Sequence, residues 1–151
     1  MSLFNSLLEF SIDTEDLDVI IDKVGDYFLD NADIEAALDW YTVATRKFPM
    51  AALFFNGMGY CLGKLRMYDE AVESVKKAVA LEPKNHEYLS DLGWTLIEAG
   101  RYDEAEDILL RAVALAPPDY KMAQGNLDEL HRRKSQGLDS RIKNGRGRGK
   151  T

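Results

Sequence analysis

Two four-residue strings, Tyr68-Asp69-Glu70-Ala71 and Tyr102-Asp103-Glu104-Ala105, stand 34 residues apart. That spacing constrains the fold more than any other feature of the chain. The same offset relates Gly59 to Gly93, Ala78 to Ala112, Ala80-Leu81 to Ala114-Leu115 and Pro83 to Pro117. One further step back reaches Gly25, Ala37, Ala44 and Pro49, with Ile34-Glu35-Ala36 in the turn. Three contiguous units follow: 18–51, 52–85 and 86–119. A unit of this length cannot bury its own apolar face, so its copies stack to make one continuous core.

Within each unit an apolar stripe at helical spacing, such as Phe55, Met58 and Leu62, is followed by a break and a second stripe, Ala71, Val75 and Ala78. Two antiparallel helices are expected per unit. Gly or Ala at the inner positions lets the pair approach closely. The acidic pairs Asp69-Glu70 and Asp103-Glu104 suit the positive end of the second helix, and each Pro closes its unit. The fold class is therefore all-α, a right-handed α-solenoid of three helix pairs.

Beyond the third unit, Tyr120, Ala123, Leu127 and Leu130 carry the helical pattern into a C-terminal capping helix over 120–136. Asp128, Glu129, His131, Arg132 and Arg133 are expected on its outer side. Residues 137–151, where Gly137, Gly145, Gly147 and Gly149 alternate with charge, read as a disordered basic tail. At the other end, residues 1–17 hold the apolar Leu3, Phe4, Leu7, Leu8 and Phe10 ahead of the turn-prone Ser11 to Asp16. This segment is expected to pack on the first repeat, or to serve as a partner element or a homodimer contact.

The three units resemble the tetratricopeptide repeat (TPR) family. The second carries Phe55, Met58, Gly59, Leu62, Ala71, Val75, Ala78 and Pro83 at that family's offsets. The third carries Leu89, Leu92, Gly93, Leu96, Ala105, Leu109, Ala112 and Pro117, and the first Ile21, Val24, Gly25, Phe28, Ala37, Tyr41, Ala44 and Pro49. The resemblance implies a concave groove lined by the first helix of each unit.

Transferred position by position, the resemblance assigns Val19, Asp22, Lys23, Asp26, Leu29 and Asp30 of the first unit to that lining. The second gives Leu53, Asn56, Gly57, Tyr60, Gly63 and Lys64, and the third Glu87, Ser90, Asp91, Trp94, Ile97 and Glu98. Six acids against two bases leave the lining at −4. The partner-binding candidates are Asp22, Asp26, Asp30, Asn56, Tyr60, Lys64, Glu87, Asp91, Trp94 and Glu98. Some family members clamp the C-terminal carboxylate of heat-shock chaperones with Lys, Asn, Asn, Lys and Arg. The matching positions here are Asp22, Asp26, Gly57, Glu87 and Asp91, which would repel an acidic terminus. Tyr60 and Trp94 offer amphipathic surface. Gly57 and Gly63 either leave a notch for an inserted side chain or relieve crowding between helices.

Other chemistries find little support. Hydrophobic residues make up 46% of the 151, enough for a sizeable core. The longest stretch without charge, Phe48 to Gly63, is broken by Pro49 and three glycines, so no membrane span is expected. The first basic residue is Lys23, unlike a secretory signal, and a cytoplasmic location is the expectation. Cys61, His86 and His131 make neither a disulfide framework nor a metal cluster. Cys61 falls beside the buried stripe and reads as a core residue. Neither histidine has a sequence-level partner for nucleophile or base chemistry, so no catalysis and no cofactor are expected.

The net charge of −7 divides unevenly, because residues 132–151 carry eight bases against Asp139, or +7, leaving −14 elsewhere. The ending Gly145-Arg-Gly-Arg-Gly-Lys-Thr151 fails as a phosphate loop, since Asn144 stands where a Gly is required. Nucleic-acid contact would rest on this tail alone, which has no stacking aromatic. The reading is a non-catalytic adaptor for a basic or amphipathic peptide. The alternative is a chaperone like those of type III secretion translocators, whose second-repeat opening resembles Phe54-Phe55-Asn56-Gly57-Met58-Gly59-Tyr60-Cys61.

Overall fold

The computed structural model describes residues 23–146, with side chains described to residue 137. Seven helices and no strand occur among them. They are α1 (23–30), α2 (Ile34–Lys47), α3 (Ala52–Lys64), α4 (Tyr68–Leu81), α5 (His86–Glu98), α6 (Tyr102–Leu115) and α7 (Met122–Arg146). The expected all-α repeat architecture is what the backbone shows. The N-terminal segment 1–17, together with Val19 and Asp22, lies outside the described residues.

The turn inside each repeat follows one backbone recipe. Ala32, Arg66 and Gly100, 34 residues apart, adopt left-handed φ of 57°, 62° and 74°. The next residue's N–H reaches back over the turn: Asp33 to the Phe28 carbonyl, Met67 to Leu62, Arg101 to Leu96, each at 2.9 Å. These paired bonds are the Schellman closure, which satisfies carbonyls that a helix end would otherwise leave without partners. Past the turn, acids occupy the first turns of α2, α4 and α6, where the N-terminal dipole favours them. Asp33 also caps α2 by accepting from the Ala36 N–H at 3.1 Å.

Two compact units divide the chain, Met1–Pro83 and Lys84–Thr151. In the first, Ala37, Trp40, Tyr41, Ala44, Phe54 and Cys61 form a buried cluster against which Val24, Phe28 and Leu29 pack. Gly25 and Gly57 both lie against the Tyr41 ring, and a Cβ at either would overlap it. Gly59 bears in the same way on Val75. In the second unit Gly93 bears on Leu109, and Leu89, Leu92, Leu96 and Leu109 are buried with Ala123, Leu127 and Leu130 of α7.

The last helix continues to Arg146, past the boundary expected at residue 136. No proline interrupts residues 122–146, and an isolated Gly such as Gly137 costs a helix only about 1 kcal/mol relative to Ala. Its partners are satisfied early. The Asn126 amide donates to the Ser90 carbonyl at 3.3 Å and to its hydroxyl at 3.0 Å, fixing α7 on α5 within this unit.

Candidate functional site

Each candidate residue described here lies on the first helix of a repeat, and the two units present them separately. In the first unit Asp26 and Asp30, one turn apart on α1, are exposed beside Tyr27, itself 63% exposed. On α3, Asn56, Tyr60 and Lys64 recur every four residues and share one face. Tyr60 is half exposed, and the Lys64 ammonium sits 5.1 Å from its ring centroid. The pair shows how this surface holds a cation against an aromatic face.

Gly57 and Gly63 part company. Gly57 has the Tyr41 ring where its side chain would be, so it relieves crowding and is no notch. Gly63 has nothing within 4 Å of an added Cβ and stays open. Cys61 is fully buried, and desolvation pushes its thiol up to about 11, so it serves the core as expected.

In the second unit Glu87, Asp91, Trp94 and Glu98 form one stripe along α5. Ser90 and Ile97, also assigned to the lining, are buried instead, with 0% and 1% exposure. Asn126 covers Ser90 as described above. The Tyr120 ring meets His86 edge-on at 4.6 Å. Burial raises the Tyr120 phenol's pKa and a hydrogen bond with Ser90 lowers it, while the charges of Asp91 and Glu87 add to the rise.

Arg133, expected on the outer side of the cap, reaches this stripe. Its guanidinium carbon is 5.4 Å from the Trp94 ring centroid, and a guanidinium nitrogen is 2.9 Å from Glu98 Oε1. Its Nε donates to Glu129 at 2.8 Å on its own helix. Hydrogen bonds from Arg132 and then Arg133 hold the Glu129 carboxyl at about 2. Next to it Lys134 pairs with Glu106 and, at 3.0 Å, with Asp103, and His131 Nε2 lies 3.2 Å from Glu106. Glu129 followed by Arg132 and Arg133 is a helix-pairing pattern legible in the sequence. Which of the two arginines turns toward Trp94 is not.

Among the described residues no helix is long and apolar enough to cross a membrane, and no group of three His, Cys, Asp or Glu side chains could hold a metal ion.

Residues 64–127 match the family model described as tetratricopeptide repeat. The chain has the tetratricopeptide repeat fold. The first TPR domain of human RPAP3 superposes with a TM-score of 0.74 at 18% identity, over 83% of this chain and 98% of that one. The second TPR domain of human RPAP3, solved in complex with the HSP70 peptide SGPTIEEVD, gives 0.68 at 21% identity over 74% and 92%. The TPR2B domain of yeast Sti1 in its pHsp70 complex gives 0.70 at 21% identity over 80% and 97%. No curated protein matches by sequence. The TPR fold explains why the candidates fall on first helices, and the identities are low enough that each side chain must be read on its own terms.

Proposed function

We propose that this TPR chain is a non-catalytic adaptor that binds a basic or amphipathic peptide through the first helices of its repeats. The observation that carries the reading is the charge of those helices. Asp26 in one unit and Glu87 and Asp91 in the other stand where carboxylate-binding relatives would present bases or amides, and Asp30 adds a further acid one turn from Asp26. A peptide ending in Glu-Glu-Val-Asp, as in the HSP70 complex of RPAP3, would meet like charge here, and like charges in contact disfavour binding strongly. A peptide carrying Lys or Arg meets complementary charge, with Tyr60 and Trp94 available for its apolar and planar parts.

The test is a pair of titrations. Wild-type protein is expected to bind an Arg- and Lys-containing amidated peptide and to ignore SGPTIEEVD. Asp26→Lys with Glu87→Lys should abolish the first interaction while leaving helicity by circular dichroism unchanged. Unaltered affinity for the basic peptide in that double variant would overturn the assignment to these faces.

A further inference from the structure

We propose that Trp94 and Glu98 form a reading site for a guanidinium group, and that Arg133 of the chain's own C-terminal helix occupies it until an arginine of the ligand takes its place. This rests on the adaptor reading above and specifies the ligand chemistry at one of its faces.

Guanidinium recognition needs a flat aromatic surface for the plane of the cation and a carboxylate at its edge. Both are present around Arg133: the Trp94 ring at 5.4 Å and Glu98 at 2.9 Å. The corner is open to water. Trp94 is 39% exposed, and the side chains of Arg133 and Glu98 keep 28% and 31% of their surface.

Exchange does not require the helix to leave. Leu130 is the last buried residue of α7 among those whose side chains are described, and Ala123, Leu127 and the Asn126–Ser90 bonds anchor the helix before it. Arg133 follows that anchor. On swinging away it keeps Glu129, one turn earlier on its own helix, as a partner. Neither the displaced arginine nor Glu98, which receives the incoming one, is left without an opposite charge. The exchange therefore conserves ion pairs and is decided by the remaining contacts of the ligand.

The probe is the amidated peptide acetyl-Arg-Gly-Arg-Gly, with a version carrying citrulline, the uncharged isostere of arginine. The chain has two tryptophans, so Trp94→Phe assigns the Trp94 indole N–H in an NMR spectrum. The expected result is that the arginine peptide shifts this signal and the citrulline peptide does not. Arg133→Gln should tighten binding of the arginine peptide by about fivefold, because a site occupied most of the time by an internal competitor shows an affinity reduced by the free fraction. Arg133→Lys, which keeps the charge without the planar fork, should fall between, and Glu98→Gln should weaken binding.

Equal or weaker affinity in Arg133→Gln, with helicity intact, would overturn the inference. So would a Trp94 signal that stays fixed while the peptide binds. If the peptide binds, is lost in Asp26→Lys and is indifferent to Arg133 and Glu98, the adaptor reading stands and the arginine site falls. If neither wild type nor Arg133→Gln takes up the peptide, both fall.

Discussion

A Cβ placed on Gly57 would come within 2.5 Å of the Tyr41 ring, and one placed on Gly25 within 2.3 Å of its hydroxyl oxygen. The repeat explains the need. The residue that packs against the inner glycine is Tyr41 in the first repeat, Val75 in the second and Leu109 in the third, and only the tyrosine is large enough to reach a second backbone. Gly57→Ala should therefore destabilise the first unit by about 1–3 kcal/mol, as overpacking of a filled core does. Chemical denaturation would measure it, and adding Tyr41→Val should restore part of the loss. The sequence offered both a notch and crowding for Gly57 and had no means of choosing, because the choice lies in a neighbour's ring orientation.

The left-handed turns give a second residue-scale outcome. Arg66 holds a conformation that L side chains resist and that Gly100 adopts freely. Arg66→Gly should stabilise by up to about 1 kcal/mol, and Gly100→Ala should cost about the same. Urea midpoints of the two variants moving in the same direction would contradict this account.

At the scale of elements, the helix pairs were legible because period, turn acids and closing prolines agreed. The cap was legible in existence and less so in extent or facing. Of its apolar positions, Ala123, Leu127 and Leu130 are buried while Tyr120 precedes the helix and is half-buried, and the side of the helix on which Arg133 lies depends on a few tens of degrees of rotation that charge spacing does not encode. The same is true of Ser90 and Ile97, whose repeat positions point to a lining and which α7 and the core cover instead.

The ion pairs of this element predict a pH response. The Glu129 carboxyl is held at about 2, and Glu106 is lowered by its bond to Lys134 first and His131 second. Both are depressed in the folded state, so their contribution is fully present above the unfolded carboxylate value of about 4.3. It is lost as pH falls from there through the folded values, toward 2 for Glu129. The melting temperature should thus stay level from pH 7 to about 5 and decline below. The decline should be smaller in Glu129→Gln, and only modest overall because these side chains remain in contact with water. Calorimetric melts across that range, with equal declines in both proteins, would refute the assignment.

For the whole molecule, charge decides more than composition does. On the adaptor reading proposed above, the −14 outside residues 132–151 would attract a basic peptide and the +7 within them would oppose it. Attraction between exposed charges is screened over about 10 Å at 0.1 M salt. Affinity for the basic peptide should fall steadily as sodium chloride rises, and a salt-independent titration would point to an apolar interface instead.

The packing of Tyr41 against two glycines also bears on the order of the repeats. Counting 34 residues on from Gly57 arrives at Asp91, so the third repeat presents a charged side chain where the second presents none. Were the third repeat spliced directly behind the first, that aspartate would be driven into the tyrosine ring. The three copies look interchangeable as patterns, yet they are not interchangeable as parts: the first accepts the second as its successor and rejects the third. One aromatic residue thereby writes the order of the repeats into the chain.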